Sequence, residues 1–154
     1  MRGRMPEVQV EVSVGEGVSL PVAADVVERA VRAVLRAEGV DEAEISVALL
    51  GDGDIAALNE EYLGHEGPTD SISFALHEEG EPPLGDVYVG VDQAARQAGE
   101  FGATPAEEVL RIAIHGTLHV LGYDHPAGED RAESEMFRRQ EEILRGVLAG
   151  GDGR

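Results

Sequence analysis

Residues 8–14, "VQVEVSV", carry an apolar side chain at every second position, the period of a strand with one buried face. The period then changes. "PVAADVVERAVRAVLRAEG" (21–39) opens on Pro, closes on Gly and sets Val27, Ala30, Val31, Val34 and Leu35 at helical spacing, so it predicts an amphipathic helix. Arg29, Arg32 and Arg36 fall on another face of that helix, expected to be solvated. "EISVALLG" (44–51) is an apolar run of strand length, and "DGDIAALNEEYLG" (52–64) reads as a helix with acids in its first turn and Gly at its end. After the loop "GHEGPT", the stretch "DSISFAL" (70–76) alternates again, with Ile72, Phe74 and Leu76 on one face. A turn, "HEEGEPPLG" (77–85), separates it from a fourth strand, "DVYVGV" (86–91), and a helix, "DQAARQAGEFG" (92–102). Helical stretches over 104–121 and about 128–149 complete the pattern, and "GGDGR" reads as a disordered tail from about residue 150.

Strands and helices interspersed along 154 residues predict one α/β (α+β) domain over 1–154. It should hold a mixed sheet of about four strands packed with about five helices, one of them buried at the centre. No internal repeat is visible.

Composition narrows the chemistry. No apolar run approaches the roughly 18–20 residues of a membrane span, and the N-terminus lacks the continuous apolar stretch of a signal peptide, so a cytoplasmic location is expected. With no cysteine there is no disulfide, thiolate nucleophile or Cys-ligated metal, and any transition-metal site must use His, Asp, Glu and water. The 12 basic residues are all Arg against 31 acids, a net charge of −19, which argues against broad, non-specific nucleic-acid binding. A local cationic cleft stays possible.

The segment "HGTLHVLGYDH" (115–125) holds three of the five histidines. It follows "TPAE" (104–107), which supplies a capping Thr, Pro at the first helical position and Glu three residues after the Thr. Val109, Leu110, Ile112, Ala113, Ile114, Leu118 and Leu121 make this the central buried helix. His115 and His119, four apart, lie one above the other on it. Gly122 is placed to turn the chain, which can bring His125 back toward them. Three imidazoles arranged so fit a tetrahedral divalent metal with one open position, and Zn2+, one per chain, is the leading candidate. Asp124 is expected to orient a ligand or cap the helix. His65 and His77 are expected at the surface.

The spacing H-x-x-x-H-x-x-G-x-x-H is also that of zinc peptidases, which place Glu directly after the first His as general base. Here that residue is Gly116, which cannot move a proton. Amide hydrolysis therefore ranks as the alternative, a metallopeptidase-like hydrolase with its acid supplied from elsewhere.

The same stretch resembles the H-G-x-L-H-L-x-G-Y-D-H motif of the YbeY family, bacterial endoribonucleases and rRNA maturation factors. "LNEEYLGHEGPTDSISF" (58–74) is similar to the family's L-N-x-x-Y-R…P-T-D-V-L-S-F segment, and "LGDVYV" (84–89) to its L-G-D-I-x-I strand. The resemblance implies a zinc-dependent, single-strand-specific endoribonuclease acting in 16S rRNA maturation and ribosome quality control. Its implied ligands are His115, His119 and His125, and its implied partners are rRNA and small ribosomal subunit proteins, with no membrane and no DNA. A water on such an ion would act as nucleophile or base, and a nearby cation should stabilise the charge gathering on the phosphate. The family's Arg after the Tyr is here Leu63, following Asn59 and Tyr62. Arg111, one turn before His115, is therefore the expected phosphate-facing cation, with Arg96 as the other candidate. Thr69, Asp70, Ser73 and Asp86 also match family positions, read as caps or cleft-lining groups. A third class is a non-enzymatic ribosome-assembly factor with a structural metal.

Overall fold

The computed structural model describes residues 5–123 and 130–150. The alternating segment forms β1 (Val8–Val14), and the amphipathic stretch forms α1 (Ala24–Ala37), which begins after Pro21 rather than on it. There follow β2 (Ala43–Leu50), α2 (Asp52–Leu58), β3 (Ser71–Ala75), β4 (Leu84–Gly90), α3 (Val91–Phe101), α4 (Pro105–Val120) and α5 (Asp130–Leu148). The strands form one mixed sheet in the order β1-β2-β4-β3, with β1, β2 and β4 parallel and β3 antiparallel to β4. Among the described residues, four strands and five α-helices match the expected architecture.

The helix expected over 52–64 is not uniform. It is α-helical to Leu58, then widens into a π-helical turn, Asn59–Leu63, closed by Gly64 at φ 70°. Asn59 is buried and donates from Nδ2 to the carbonyl of Gly67 at 2.9 Å, which ties the turn to the loop leading into β3. The widened turn leaves both Tyr62 and Leu63 exposed.

Core packing is one-sided. Val10, Ile45, Val47, Leu49, Val87 and Val89 face α1 and α4, while Glu11, Ser13 and Ser46 on the opposite pleat are exposed, as the period of two dictates. Helix α4 runs through the middle, with Val109, Leu110, Ile112, Ala113, Ile114, Leu118 and Val120 all buried. It starts with the expected capping box, in which the Glu107 N–H donates to the Thr104 hydroxyl and the Thr104 N–H to the Glu107 carboxylate.

Two glycines let α4 lie flat on β4. A Cβ at Gly116 would stand 2.5 Å from Val87 Cγ1 and 3.0 Å from Ser73 Oγ, and one at Gly85 would stand 2.6 Å from Val120 Cγ1. Both are closer than packed carbon atoms allow. The residue after His115 thus faces the sheet.

Candidate metal centre

The close approach brings one face of α4 over β3. His115 and His119 of α4, Ser71, Ser73 and Ala75 of β3, Leu63 of the π-helical turn, and Gly122 and Tyr123 line an open cleft of about 480 Å³. Strand β3 turns its polar face to this cleft. Its apolar set, Ile72 and Phe74, lies on the pleat shared with Tyr88, where Tyr62, Phe74 and Tyr88 stack edge to face. Its serines face the histidines.

The imidazoles converge. Their Nε2 atoms stand 3.1 Å apart, with the rings nearly perpendicular. His119 Nδ1 lies 2.9 Å from the carbonyl oxygen of Tyr123, and His115 Nδ1 lies 2.7 Å from Gln140 Oε1. A carbonyl oxygen can only accept, so each Nδ1 carries a proton, and in the neutral ring Nε2 keeps its lone pair. Two lone pairs facing each other repel unless a cation, either a shared proton or a metal ion, stands between them. At a metal–nitrogen distance of about 2.0–2.1 Å, two tetrahedral ligands stand about 3.3 Å apart, close to the observed separation. The donor set fits a divalent ion such as zinc, and among the described residues no third His, Asp or Glu joins the pair. His125, the expected third ligand, and Asp124 lie outside the described residues.

Local sequence explains both orientations. After Leu121 the Gly122 N–H donates to the carbonyl of His119 and the Tyr123 N–H to that of Leu118, with Gly122 at φ 111°. This is a Schellman turn, and glycine is needed at its left-handed residue. The turn swings the Tyr123 carbonyl under His119. The Tyr123 hydroxyl donates to Glu38 at 3.0 Å, and Arg139 donates to the same carboxylate, which anchors the turn to α1 and α5. Burial, followed by Glu38, raises the Tyr123 phenol above its ordinary range.

Arg111 sits one turn before His115, as expected, but its guanidinium is engaged elsewhere. Nε and Nη2 donate to Glu141 at 2.8 and 3.2 Å, and Nη1 is hydrogen-bonded to Glu108. Glu108, itself buried, also accepts from Gln97 at 2.9 Å. These carboxylates hold Arg111 firmly charged, its pKa raised first by Glu141 against the effect of burial. Burial works to raise Glu141, yet the hydrogen bonds from Arg111 and Gln140 prevail and keep it below the usual carboxylate range. Arg111 is not among the described residues lining the cleft.

Arg96 forms a two-pronged pair with Asp52 at 3.0 and 2.9 Å and is likewise outside the lining. Of the family-matched positions, Ser73 lines the cleft, whereas Asp86 borders the opposite pleat. Asp70 accepts from Gln97 at 3.4 Å, and its carbonyl accepts the Gly90 N–H at 2.8 Å. His65 is exposed, and His77 is half-buried against the backbone of Leu84.

Sequence reasoning missed Gln140 and Glu141. The available signal was a Gln on the apolar stripe of α5, between Met136 and Leu144, both buried. A polar side chain on such a stripe needs a hydrogen-bond partner.

The family model described as Endoribonuclease YbeY matches residues 13–147. Endoribonuclease YbeY of Moorella thermoacetica is 46% identical over 131 residues, covering 77% of this chain and 83% of that protein. The Bacillus subtilis endoribonuclease YbeY is 42% identical over 130 residues, covering 77% and 82%. The solution structure of TM1509 from Thermotoga maritima superposes with a TM-score of 0.65 at 28% identity, covering 93% of this chain and 90% of that one. With the histidine pair, its turn and the flanking strands all inside the matched region, the chain belongs to the YbeY endoribonuclease family.

Proposed function

We propose that this hydrolase is a zinc-dependent, single-strand-specific endoribonuclease of 16S rRNA maturation, working in the cytoplasm beside proteins of the small ribosomal subunit. The observation that carries the metal half is the pair of Nε2 lone pairs 3.1 Å apart, each forced inward by an acceptor on the other ring nitrogen. His115 and His119, joined by His125, would hold the ion. Bound there, a divalent ion supplies Lewis acidity, polarising a phosphoryl oxygen or acidifying a water toward neutrality.

The chain's own groups do the rest. The carbonyls of Tyr123 and Gln140 keep the Nδ1 protons in place, so both imidazoles stay oriented through the reaction. Ser71 and Ser73, on the opposite wall, offer hydroxyl donors to phosphate oxygens. Buried Gly116 leaves no room for a peptidase's glutamate, which speaks for phosphodiester over amide chemistry. Arg111 is reassigned from phosphate contact to positioning, since two carboxylates already claim its donors.

The test is add-back. Protein stripped by chelator should cleave neither single-stranded nor duplex 16S-derived RNA, and zinc should restore cleavage of the single strand alone. Activity in the stripped protein would overturn the metal reading, and equal cutting of duplex would overturn the specificity.

Leu63 bears on RNA affinity. It lies at the cleft and is 46% exposed, so an Arg there would reach substrate phosphate. Leu63→Arg is expected to tighten binding of single-stranded RNA and to steepen the log–log salt dependence by about 0.7, the share of one neutralised phosphate. Salt titration of RNA binding on both proteins checks it; parallel slopes would place residue 63 away from the bound strand.

A further inference from the structure

We propose that Gln140 is a positioning residue for metal binding, an amide whose carbonyl oxygen holds His115 in the tautomer able to ligate and whose own orientation is locked by the Glu141–Arg111 pair. The inference rests on the metal reading above and adds to it how the ligand is prepared.

A neutral imidazole has one donor nitrogen and one acceptor nitrogen, and His115 can bind a metal through Nε2 only with its proton on Nδ1. The group facing Nδ1 is Gln140 Oε1, at 2.7 Å. An amide has two ends of nearly equal size. Turned over, its NH2 would face Nδ1, draw the lone pair to that side and put the proton on Nε2, where it would block ligation. What prevents the turn is the other end. Gln140 Nε2 donates to Glu141 Oε2 at 3.0 Å. That same oxygen accepts from Arg111 Nε at 2.8 Å, and its partner oxygen accepts from Arg111 Nη2 at 3.2 Å.

A carboxylate ion-paired with a guanidinium carries no proton and can only accept. Presenting Gln140 Oε1 to it would set two acceptors against each other. The amide therefore has one favourable orientation, dictated from the side away from the metal. Arg111 is held in turn by Glu108, and Glu108 by Gln97. The lock thus runs through α3, α4 and α5, and it closes on the ring.

The two ligands differ in this respect. The acceptor for His119 is a main-chain carbonyl in the Schellman turn, which no side-chain substitution removes. The acceptor for His115 is a side chain, 5% exposed, where bulk water has little access to replace it. A packing role alone would ask only for a side chain of similar volume at 140. The tautomer role asks for an acceptor.

The experiment compares wild type, Gln140→Met and Gln140→Glu. Two-bond proton–nitrogen correlation spectra of the zinc-free protein report which nitrogen of His115 is protonated, and competition with a chromogenic chelator gives zinc affinity. Wild type should show the Nδ1–H form. Gln140→Met, similar in volume, should show a mixture and bind zinc about 10–100-fold more weakly. Gln140→Glu, which keeps an acceptor toward His115 although its second oxygen meets the Glu141 carboxylate, should recover the Nδ1–H form and bind zinc more tightly than Gln140→Met. A wild-type His115 protonated on Nε2 overturns the proposal without any variant, so it stays testable should Gln140→Met fail to fold. Gln140→Met with wild-type tautomer and affinity overturns it as well. Wild type with the Nδ1–H form but no zinc affinity would refute the metal reading while leaving the tautomer lock standing.

Discussion

His119→Ala is expected to yield a folded protein that retains no divalent ion and cleaves RNA about 10³-fold or more slowly than wild type, because on the proposed metal reading the acidification of water by the ion would be lost. The ring is half-buried at the cleft, away from the packed face of α4, so the fold should survive its removal. The local cost includes the hydrogen bond from Nδ1 to the Tyr123 carbonyl, about 1 kcal/mol. The Schellman turn itself stays, since its bonds are main-chain to main-chain. Elemental analysis and RNA cleavage on wild type and variant side by side would decide the matter. Full zinc content in His119→Ala would remove this histidine from the ligand set, and a metal-free variant with undiminished cleavage would detach the chemistry from the metal.

The second large effect is expected at Gly116. Placing Glu there restores, on paper, the peptidase pattern of His, Glu and His. In the folded protein, position 116 points at β4, where even a Cβ would meet Val87 Cγ1 at 2.5 Å and Ser73 Oγ at 3.0 Å. Overpacking of this kind costs about 1–3 kcal/mol, and it opposes the roughly 1 kcal/mol that Ala gains over Gly in helix propensity. Val87 is fully buried in the central part of the sheet and has little freedom to move aside. Gly116→Ala should therefore lower Tm by several degrees. Gly116→Glu, adding a carboxylate with no partner in the core, should fail to fold and gain no peptidase activity. A Gly116→Ala protein as stable as wild type would show that α4 can lift from β4, and the argument against peptidase chemistry from packing would fall with it.

Much of the fold was legible because local rules and tertiary demands agree. The alternation in 8–14, the apolar face of α1, the Thr104–Glu107 capping box and the turn at Gly122 are each governed by neighbours within a few residues, and the structure repeats them. Segment 52–64 shows where that stops. Its composition reads as one helix, but the buried Asn59 amide and its bond to Gly67 belong to a π-helical turn that no short-range periodicity distinguishes from an α-helix. Strand β3 shows it again. Alternation identified Ile72 and Phe74 as one face, yet could not say that the serine face would turn toward the histidines, because strand order decides which pleat meets which helix.

Arg111 is the sharpest instance. From spacing it stands one turn from His115, a fair position for a phosphate contact. One of its two carboxylate partners, Glu108, is three residues away, but the other, Glu141, is 30 residues away in sequence on α5, and an ion pair across that separation leaves no trace in local pattern. Gln140 was hidden for the same reason.

By itself, the sequence determined the elements, the helix on which the histidines sit and their stacking on one face of it, because helical geometry makes residues four apart neighbours wherever the helix lies. The tertiary structure alone decided that Gly116 is a packing contact, that Ser71 and Ser73 form the opposite wall, and that Gln140 Oε1 meets His115 Nδ1. Those assignments depend on which surfaces meet across the fold, and burial of apolar area over the whole chain selects that meeting, largely without regard to separation in sequence.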